Sequence, residues 1–421
     1  MGKLMYNIFI RLYPLAATIV GIFNAKARQW VKGRKNVFSK IAKAMDASGE
    51  KKIWMHCSSL GEFEQGRPLL EKIKSTYPSY KIVLTFFSPS GYEVRKNYDQ
   101  ADYIFYLPID SLSNAKKFYN LIKPSLVIFV KYEFWYYYIR EAQQRNIPLL
   151  LVSAIFRKGQ PFFKWYGSFH RQMLQLFSHI FVQNNQSVQL LNDINITTAT
   201  ISGDTRFDRV IEIAESFKPM PEIEEFCAGK TTVVAGSTWI EDDEELDHYA
   251  NTHRDYCFII APHDIGEERL KECDALYKYS IRYSTYKQLL KSNLPLQEVN
   301  TLIIDNIGML SRLYKYATIG FIGGGFGGDG VHNVLEAAVY YRPVVFGPVY
   351  EKYFEAVELL EHGGAFSIED ALELEQQFDE LLKDTDGYKK ACDNAGDYVK
   401  SNSGATGNIL NYIQEKRLLT N

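Results

Sequence analysis

A chain of 421 residues, 46% hydrophobic and 23% charged, with a net charge of −2, has material for two cores and is too long for one. That balance excludes disorder over most of the length, and it excludes a nucleic-acid binder that works by bulk positive charge. The five cysteines, Cys57, Cys227, Cys257, Cys273 and Cys392, have neither metal-ligand nor redox spacing, which predicts a reducing compartment, thiols as core filler and no metal site.

The positive charge is concentrated at the start of the chain. Residues 1–45 contain no Asp or Glu and nine basic residues, Lys3, Arg11, Lys26, Arg28, Lys32, Arg34, Lys35, Lys40 and Lys43, so residues 46–421 carry about −11. An apolar run from Leu4 to Phe23 lies in the same stretch, interrupted by Arg11 and Pro14. A spanning helix needs roughly 20 uninterrupted apolar residues, and a secretory leader ends in a small-residue cleavage site. The pattern fits neither. It predicts an interfacial helix with a polybasic flank, drawn to an anionic membrane surface on the cytoplasmic side. An ordinary amphipathic first helix packed on a domain is the other reading of these residues.

Next, Ile53–Cys57 and Lys81–Phe87 have the apolar character of buried strands and enclose a helical stretch near Glu64–Ser75. Further strands are predicted at Ala101–Tyr106, Leu126–Val130, Pro148–Ser153 and His179–Gln183. Strands alternating with helices imply a parallel sheet covered on both faces, and six of them complete one Rossmann-like domain, 46–215. Two prolines and flanking charges in 216–228 suggest a linker. A second series follows at Thr231–Thr238, Tyr256–Ala261, Leu302–Asp305, Ala317–Ile322 and Pro343–Phe346, giving a second α/β domain over 229–395. Helices fill the tail, and the last, within 396–421, is expected to pack back on the first domain.

The second domain carries the densest motif. The strand ending at Ile322 runs into Gly323-Gly324-Gly325-Phe326-Gly327-Gly328-Asp329-Gly330, and a helix is predicted to open near His332-Asn333. Glycines let a backbone approach a phosphate, and the first amides of a helix lack intrahelical partners. Glu336, one turn after Asn333, offers a carboxylate to a ribose diol. The dinucleotide fingerprint belongs to the first turn of a domain, so this late cluster suits a mononucleotide donor better. Two Rossmann-like domains with the nucleotide loop in the second describe the GT-B architecture, in which the domains face a central cleft.

In the first domain, Ser58-Ser59-Leu60-Gly61-Glu62 follows the first strand, where the carboxyl end of a parallel sheet presents ligand-facing groups. Gly61 is expected to relax the turn, and Glu62 offers a base for an acceptor hydroxyl. A helix-start acid favoured by the dipole is the plainer role for Glu62. His170, His179, His248 and His253 show no ligand spacing, Tyr136-Tyr137-Tyr138 is expected in a core or cleft wall, and Glu241–Glu245 reads as an acidic helix start.

His56-Cys57-Ser58-Ser59-Leu60-Gly61-Glu62 resembles the start of bacterial 3-deoxy-D-manno-octulosonic acid (Kdo) transferases, and Gly203-Asp204-Thr205-Arg206-Phe207-Asp208 is similar to their Gly-Asn-Leu-Lys-Phe-Asp element. Gly236-Ser237-Thr238, Ala261-Pro262-His263 and the run from Gly323 to Pro348 follow in the family's order. The resemblance implies an inverting, metal-independent transfer of Kdo from CMP-Kdo to a lipid A precursor at the cytoplasmic face of the inner membrane, with no cofactor beyond the donor. It implies Glu62 as base and Glu133 and Arg206 as transition-state stabilisers. Pro262, His263, Ile307, Gly308, Met309, Asn333, Val334, Leu335 and Glu336 would contact CMP, with Ser237, Thr238, Gly324 and Gly325 beside the donor. Ser58, Gly61 and Arg67 are assigned to the acceptor side or cleft. The family's Pro-Arg-His stands here as Pro262-His263-Asp264, its Glu-Thr-Glu begins with Lys131, and its Asn-Ala-Arg is Ser153-Ala154-Ile155 with Arg157 close by. From the residues alone, another GT-B nucleotide-sugar enzyme, including a sugar-nucleotide epimerase, and a non-catalytic nucleotide-binding membrane-surface module stay open.

Overall fold

A computed structural model describes residues 2–45, 49–292, 298–328 and 330–420; Asp329 of the glycine run lies outside the described residues. The chain divides into two compact units, residues 1–209 with 403–421, and residues 210–402.

In the first unit, helices Gly2–Val20, Ala25–Arg34 and Val37–Met45 precede a seven-stranded parallel sheet. Its strands are β1 (Lys52–Cys57), β2 (Lys81–Phe86), β3 (Tyr103–Tyr106), β4 (Pro124–Val130), β5 (Leu149–Ala154), β6 (His179–Val182) and β7 (Ala199–Ile201), in the order β3-β2-β1-β4-β5-β6-β7. The central strands are near-continuous apolar runs because both faces are covered. On one face Trp54 meets Phe118, Tyr119, Phe129 and Tyr138. On the other, Ile53, Met55 and Cys57 share a core with Phe63 and with Ile409, Leu410 and Ile413 of the last helix, Ala405–Glu415. Asp208 fastens that helix by accepting bonds from Gly404 N and Thr406 N, both 2.6 Å.

The second unit holds β8 (Thr232–Thr238), β9 (Cys257–Pro262), β10 (Ser280–Arg282), β11 (Thr301–Ile303), β12 (Ile319–Ile322), β13 (Val344–Phe346) and β14 (Ala365–Ser367). All pair in parallel in the order β10-β11-β9-β8-β12-β13-β14, so β11 is slotted between β9 and β10. Both units are therefore parallel-sheet α/β domains of the GT-B class.

Three strands were not expected from the sequence: β7, β10 and β14. Each has three residues, and they are largely exposed or half-buried, so no apolar run marks them. The expected linker 216–228 is also corrected. Pro221–Cys227 is a helix with Pro221 in its first turn and Ile223, Phe226 and Cys227 buried. A proline at a helix start is compatible with the helix. Phe226 packs edge-on against Tyr286, 5.3 Å between centroids. The boundary between the units falls at Arg209 and Val210, inside the helix Thr205–Glu215.

The first helix contains Pro14 and buries only Ile10, while Leu4, Met5, Ile8, Phe9, Leu12, Leu15, Ile19 and Val20 are exposed. Among the described residues, no helix is long and apolar enough to cross a membrane. Two of the nine basic residues serve the fold. Arg28 donates to the carbonyls of Gly21 and Ile22, and Arg34 to those of Trp30, Phe87 and Leu107.

Candidate active site

In the first unit, the turn after β1 and the turn after β4 carry the acidic groups. Ser59 caps the helix Leu60–Thr76 in a capping box with Glu62, whose Oε2 accepts from Ser59 N at 3.0 Å. Burial and then the negative charge of Glu133 push the Glu62 carboxyl up to about 7, against lowering by the Ser59 and Ser58 amides and Lys131. Glu62 is thus both the helix-start acid and a carboxylate near its midpoint at neutral pH. Oε1 takes no part in the capping box.

Glu133 is buried. Its Oε2 lies 2.8 Å from His56 Nε2 and accepts a bond from Trp135 Nε1. His56 Nδ1 is 2.8 Å from Thr85 Oγ1, which accepts from Trp54 Nε1 at 2.8 Å. A relay of buried polar groups therefore runs from the sheet core to Glu133, and such a network fixes the position of its terminal member. Lys131, in the left-handed region at φ 66°, turns the chain between β4 and Glu133.

Arg206, at the start of the helix Thr205–Glu215, donates to Asp204 Oδ2 through Nε at 2.9 Å and Nη2 at 2.7 Å. Burial raises the Asp204 carboxyl, but the charge and bonds of Arg206 outweigh it, and Asp204 sits below its ordinary value. Tyr132 is raised by burial, with Arg157 and Arg206 opposing and Glu62 reinforcing. One phenol thus senses both arginines and the acidic turn, placing them around one spot of this unit.

In the second unit, a cavity of about 290 Å³ is lined by Ser237, Gly308, Leu310, Ser311, Tyr314, Ile322, His332, Asn333 and Glu336. This is close to the lower end of small-ligand sites. Asn333 Nδ2 donates to Glu336 Oε1 at 3.0 Å. Beside it, Trp239, His263 and His332 form a ring stack, with centroids 4.6 Å and 4.5 Å apart in turn, and Trp239 Nε1 donates to His332 Nε2 at 3.2 Å.

The glycine run is built differently from its expected form. Gly324 N and Phe326 N donate to the two oxygens of Asp242, at 2.8 Å and 3.4 Å, and Trp239 N donates to Asp242 Oδ2 at 2.8 Å. Burial lifts the Asp242 carboxyl to about 6 despite these amides. His332 N donates to Gly323 O and Val331 N to Val349 O. The helix expected to open near His332 is one turn, Leu335–Ala338. These amides cannot cradle a phosphate while the protein's own carboxylate and carbonyls hold them. The glycines serve backbone proximity: a Cβ on Gly323 would lie 2.6 Å from Ser237 O, and one on Gly325 would lie 2.5 Å from Gly347 N.

A family profile described as "3-Deoxy-D-manno-octulosonic-acid transferase (kdotransferase)" matches residues 32–209. A 3-deoxy-D-manno-octulosonic acid transferase of Rickettsia felis is 28% identical over 373 residues, covering 86% of this chain and 78% of that protein. Over most of its length the chain is similar to Kdo transferases. It is a glycosyltransferase. A bifunctional glycosyltransferase/methyltransferase of Fusobacterium nucleatum subsp. nucleatum is 25% identical over 386 residues, and the match spans 89% of this chain but 58% of that protein. In fold, the chain is similar to a UDP-GlcNAc 2-epimerase of Neisseria meningitidis bound to UDP-GlcNAc, with TM-score 0.60, 17% identity and coverage of 86% of this chain and 100% of that one. At that identity the likeness is one of fold alone.

Within this glycosyltransferase, Ser237, Gly308, Asn333 and Glu336 line one cavity. Val334 and Leu335 are fully buried, so only their backbone can face a ligand, and Thr238 and Met309 are buried as well. Pro262 closes β9 beside Thr238, while Ile307 is 87% exposed on the loop before Gly308. Gly61 is not a turn residue but lies inside the helix Leu60–Thr76, with open space where a Cβ would stand. Arg67, five residues beyond Glu62 and so on another face, bonds Glu71 at 2.7 Å and overlies Tyr98. Tyr138 is core, and Tyr136 and Tyr137 flank it half-buried. Sequence reasoning gave no site role to His56, Trp135, Asp204, Asp242 or Tyr314. A histidine within an otherwise apolar buried strand was the one available signal, at His56.

Proposed function

We propose that this transferase moves Kdo from CMP-Kdo to a lipid A-type precursor at the cytoplasmic face of the inner membrane, by single displacement with inversion and without a metal. Glu62 takes the proton of the acceptor hydroxyl as that oxygen attacks the anomeric carbon. The bond to the donor phosphate breaks, and its electron pair stays with CMP. Glu133, held by His56 and Trp135, faces the positive charge that develops on the sugar, and Arg206 opposes the negative charge of the donor side. The cavity around Ser237, Asn333 and Glu336 takes CMP. The exposed apolar face of the first helix and its basic neighbours associate with an anionic membrane surface, which presents the lipid acceptor.

One observation carries this assignment: the Glu62 carboxyl, half-buried beside Glu133 and raised to about 7, the range suited to a base working at neutral pH. The experiment incubates the protein with CMP-Kdo and lipid A precursor in EDTA and follows the mass of the lipid. A gain of one or more Kdo units, with inverted anomeric configuration, is expected. CMP bound without a product would favour a nucleotide-binding module, and a product formed only with added divalent metal would overturn the metal-free step.

A further inference from the structure

A second cavity, of about 360 Å³, opens between the two N-terminal helices and the turn after β2, lined among others by Tyr13, Ala17, Val20, Lys26, Trp30 and Phe87. Its small alanine side chains leave the space and its aromatic rings form the walls. Tyr13, Trp30 and Phe87 lie edge-on or tilted to one another with centroids 5.1 to 5.7 Å apart. The buried guanidinium of Arg34 fixes these walls. It stands 4.0 Å from the Trp30 ring centre and 4.7 Å from that of Phe87, and donates to the carbonyls of Trp30, Phe87 and Leu107. Desolvation lowers Arg34 to about 9.

The two ends of the groove differ. At the inner end, Phe87 N and Ser88 N donate to Ser58 O at 3.2 Å and 2.7 Å, and Ser58 adjoins the cap that holds Glu62. The Phe87 ring packs 4.5 Å from Trp135, which bonds Glu133. At the outer end, the lining residue Val20 continues into Ile19, Ile22 and Phe23, all exposed, with Lys26 on the rim. The groove thus runs from an exposed apolar edge to Phe87 and Ser88, whose amides bond the residue that adjoins the Glu62 cap. At about 30 Å³ per water-sized group, it holds roughly a dozen such groups, the bulk of one alkyl chain.

We propose that this groove binds one acyl chain of the acceptor, so that the chain sets which hydroxyl reaches Glu62. Lys26 complements an anionic or carbonyl group where the chain leaves the groove. The proposal rests on Glu62 as base and on a lipid acceptor. The acyl chain moves from hydrocarbon to hydrocarbon, so the groove contributes orientation and selectivity more than affinity.

The test compares the intact acceptor, in detergent, with the same sugar phosphate stripped of its acyl chains, for wild type, Ala17→Trp and Ala27→Phe. Both substitutions fill the groove from half-exposed helix positions. The expected result is a drop of tenfold or more in the ratio of kcat/KM for the acylated over the deacylated acceptor. An acceptor bearing a photoreactive group on its acyl chain should label Trp30 or Phe87. An unchanged ratio in both variants, or labelling confined to Phe23 and Leu4 on the outer surface, would overturn the groove. Transfer to the deacylated sugar, lost in Glu62→Gln, would then leave the proposed reaction standing. If wild type transfers to neither acceptor, the reaction itself fails.

Discussion

The acidic turn of the first unit and the glycine loop of the second both stood out in the sequence, yet they spend their polar groups in opposite ways. In the first, burial and a buried like charge raise one carboxyl. Glu133 is fixed by His56 and Trp135, and its charge, added to burial, keeps Glu62 near 7. In the second, the amides of Gly324 and Phe326 are already satisfied by Asp242. The first region holds a carboxyl raised by burial and a like charge, whereas the second spends the charge of Asp242 on the shape of its own loop.

The sharpest way to break this contrast is Glu62→Gln. The amide still accepts from Ser59 N and so keeps the cap, but it cannot take a proton. Loss of general-base catalysis should lower kcat by about 100- to 10,000-fold with CMP affinity unchanged. Stability gives an independent reading. The folded-state pKa of about 7 lies above the ordinary 4.5, so the folded chain favours the protonated form. Stability from this group is present below about 4.5 and is lost as pH rises through about 7. The melting temperature of Glu62→Gln relative to wild type should therefore rise between pH 5 and pH 8. A constant difference would show that Glu62 does not titrate in that window.

On the other side, Asp242→Ala should cost about 2–4 kcal/mol in denaturant unfolding, because it strands the Gly324 and Trp239 amides. Gly325→Ala should cost about 1–3 kcal/mol, since its Cβ meets the backbone of Gly347. Gly328→Ala meets nothing within 4 Å and should stay within about 0.5 kcal/mol. Equal costs at 325 and 328 would mean that backbone packing does not dictate the loop. Between these effects lies the pH profile. If Glu62 is the base, kcat/KM should fall about tenfold per unit below pH 7, a limb that Asp242→Asn should leave in place.

Much of the fold could be read from the chain because β1, β4 and β5 are apolar enough to declare themselves buried on both faces. The three-residue strands β7, β10 and β14 could not, since their neighbours rather than their side chains make them strands. In the candidate site, only the groups that local pattern marks could be picked out from the chain. Glu62 opens the helix after β1, and Glu133 follows the left-handed Lys131 after β4. His56 matters because the fold brings it to Glu133, 77 residues away in sequence, and Asp242 because Gly324 lies 82 residues on. Pairings of that kind are absent from local pattern. Asp242 in particular was hidden in an acidic run whose plain role, opening the helix Ile240–Thr252, is also real.

Gly61 offers the smallest effect and the finest test of the comparison. The glycines at 323 and 325 are pressed by backbone, so selection for packing explains them. Gly61 has open space at its Cβ, and its helical position favours alanine. Gly61→Ala should therefore stabilise the first unit by about 0.5–1 kcal/mol. If the empty volume at Gly61, one residue before Glu62, receives the acceptor, a methyl group there competes with it. KM for the acceptor should rise severalfold in Gly61→Ala while CMP affinity stays constant. If stability rises and KM does not, the acceptor hydroxyl approaches Glu62 from another side.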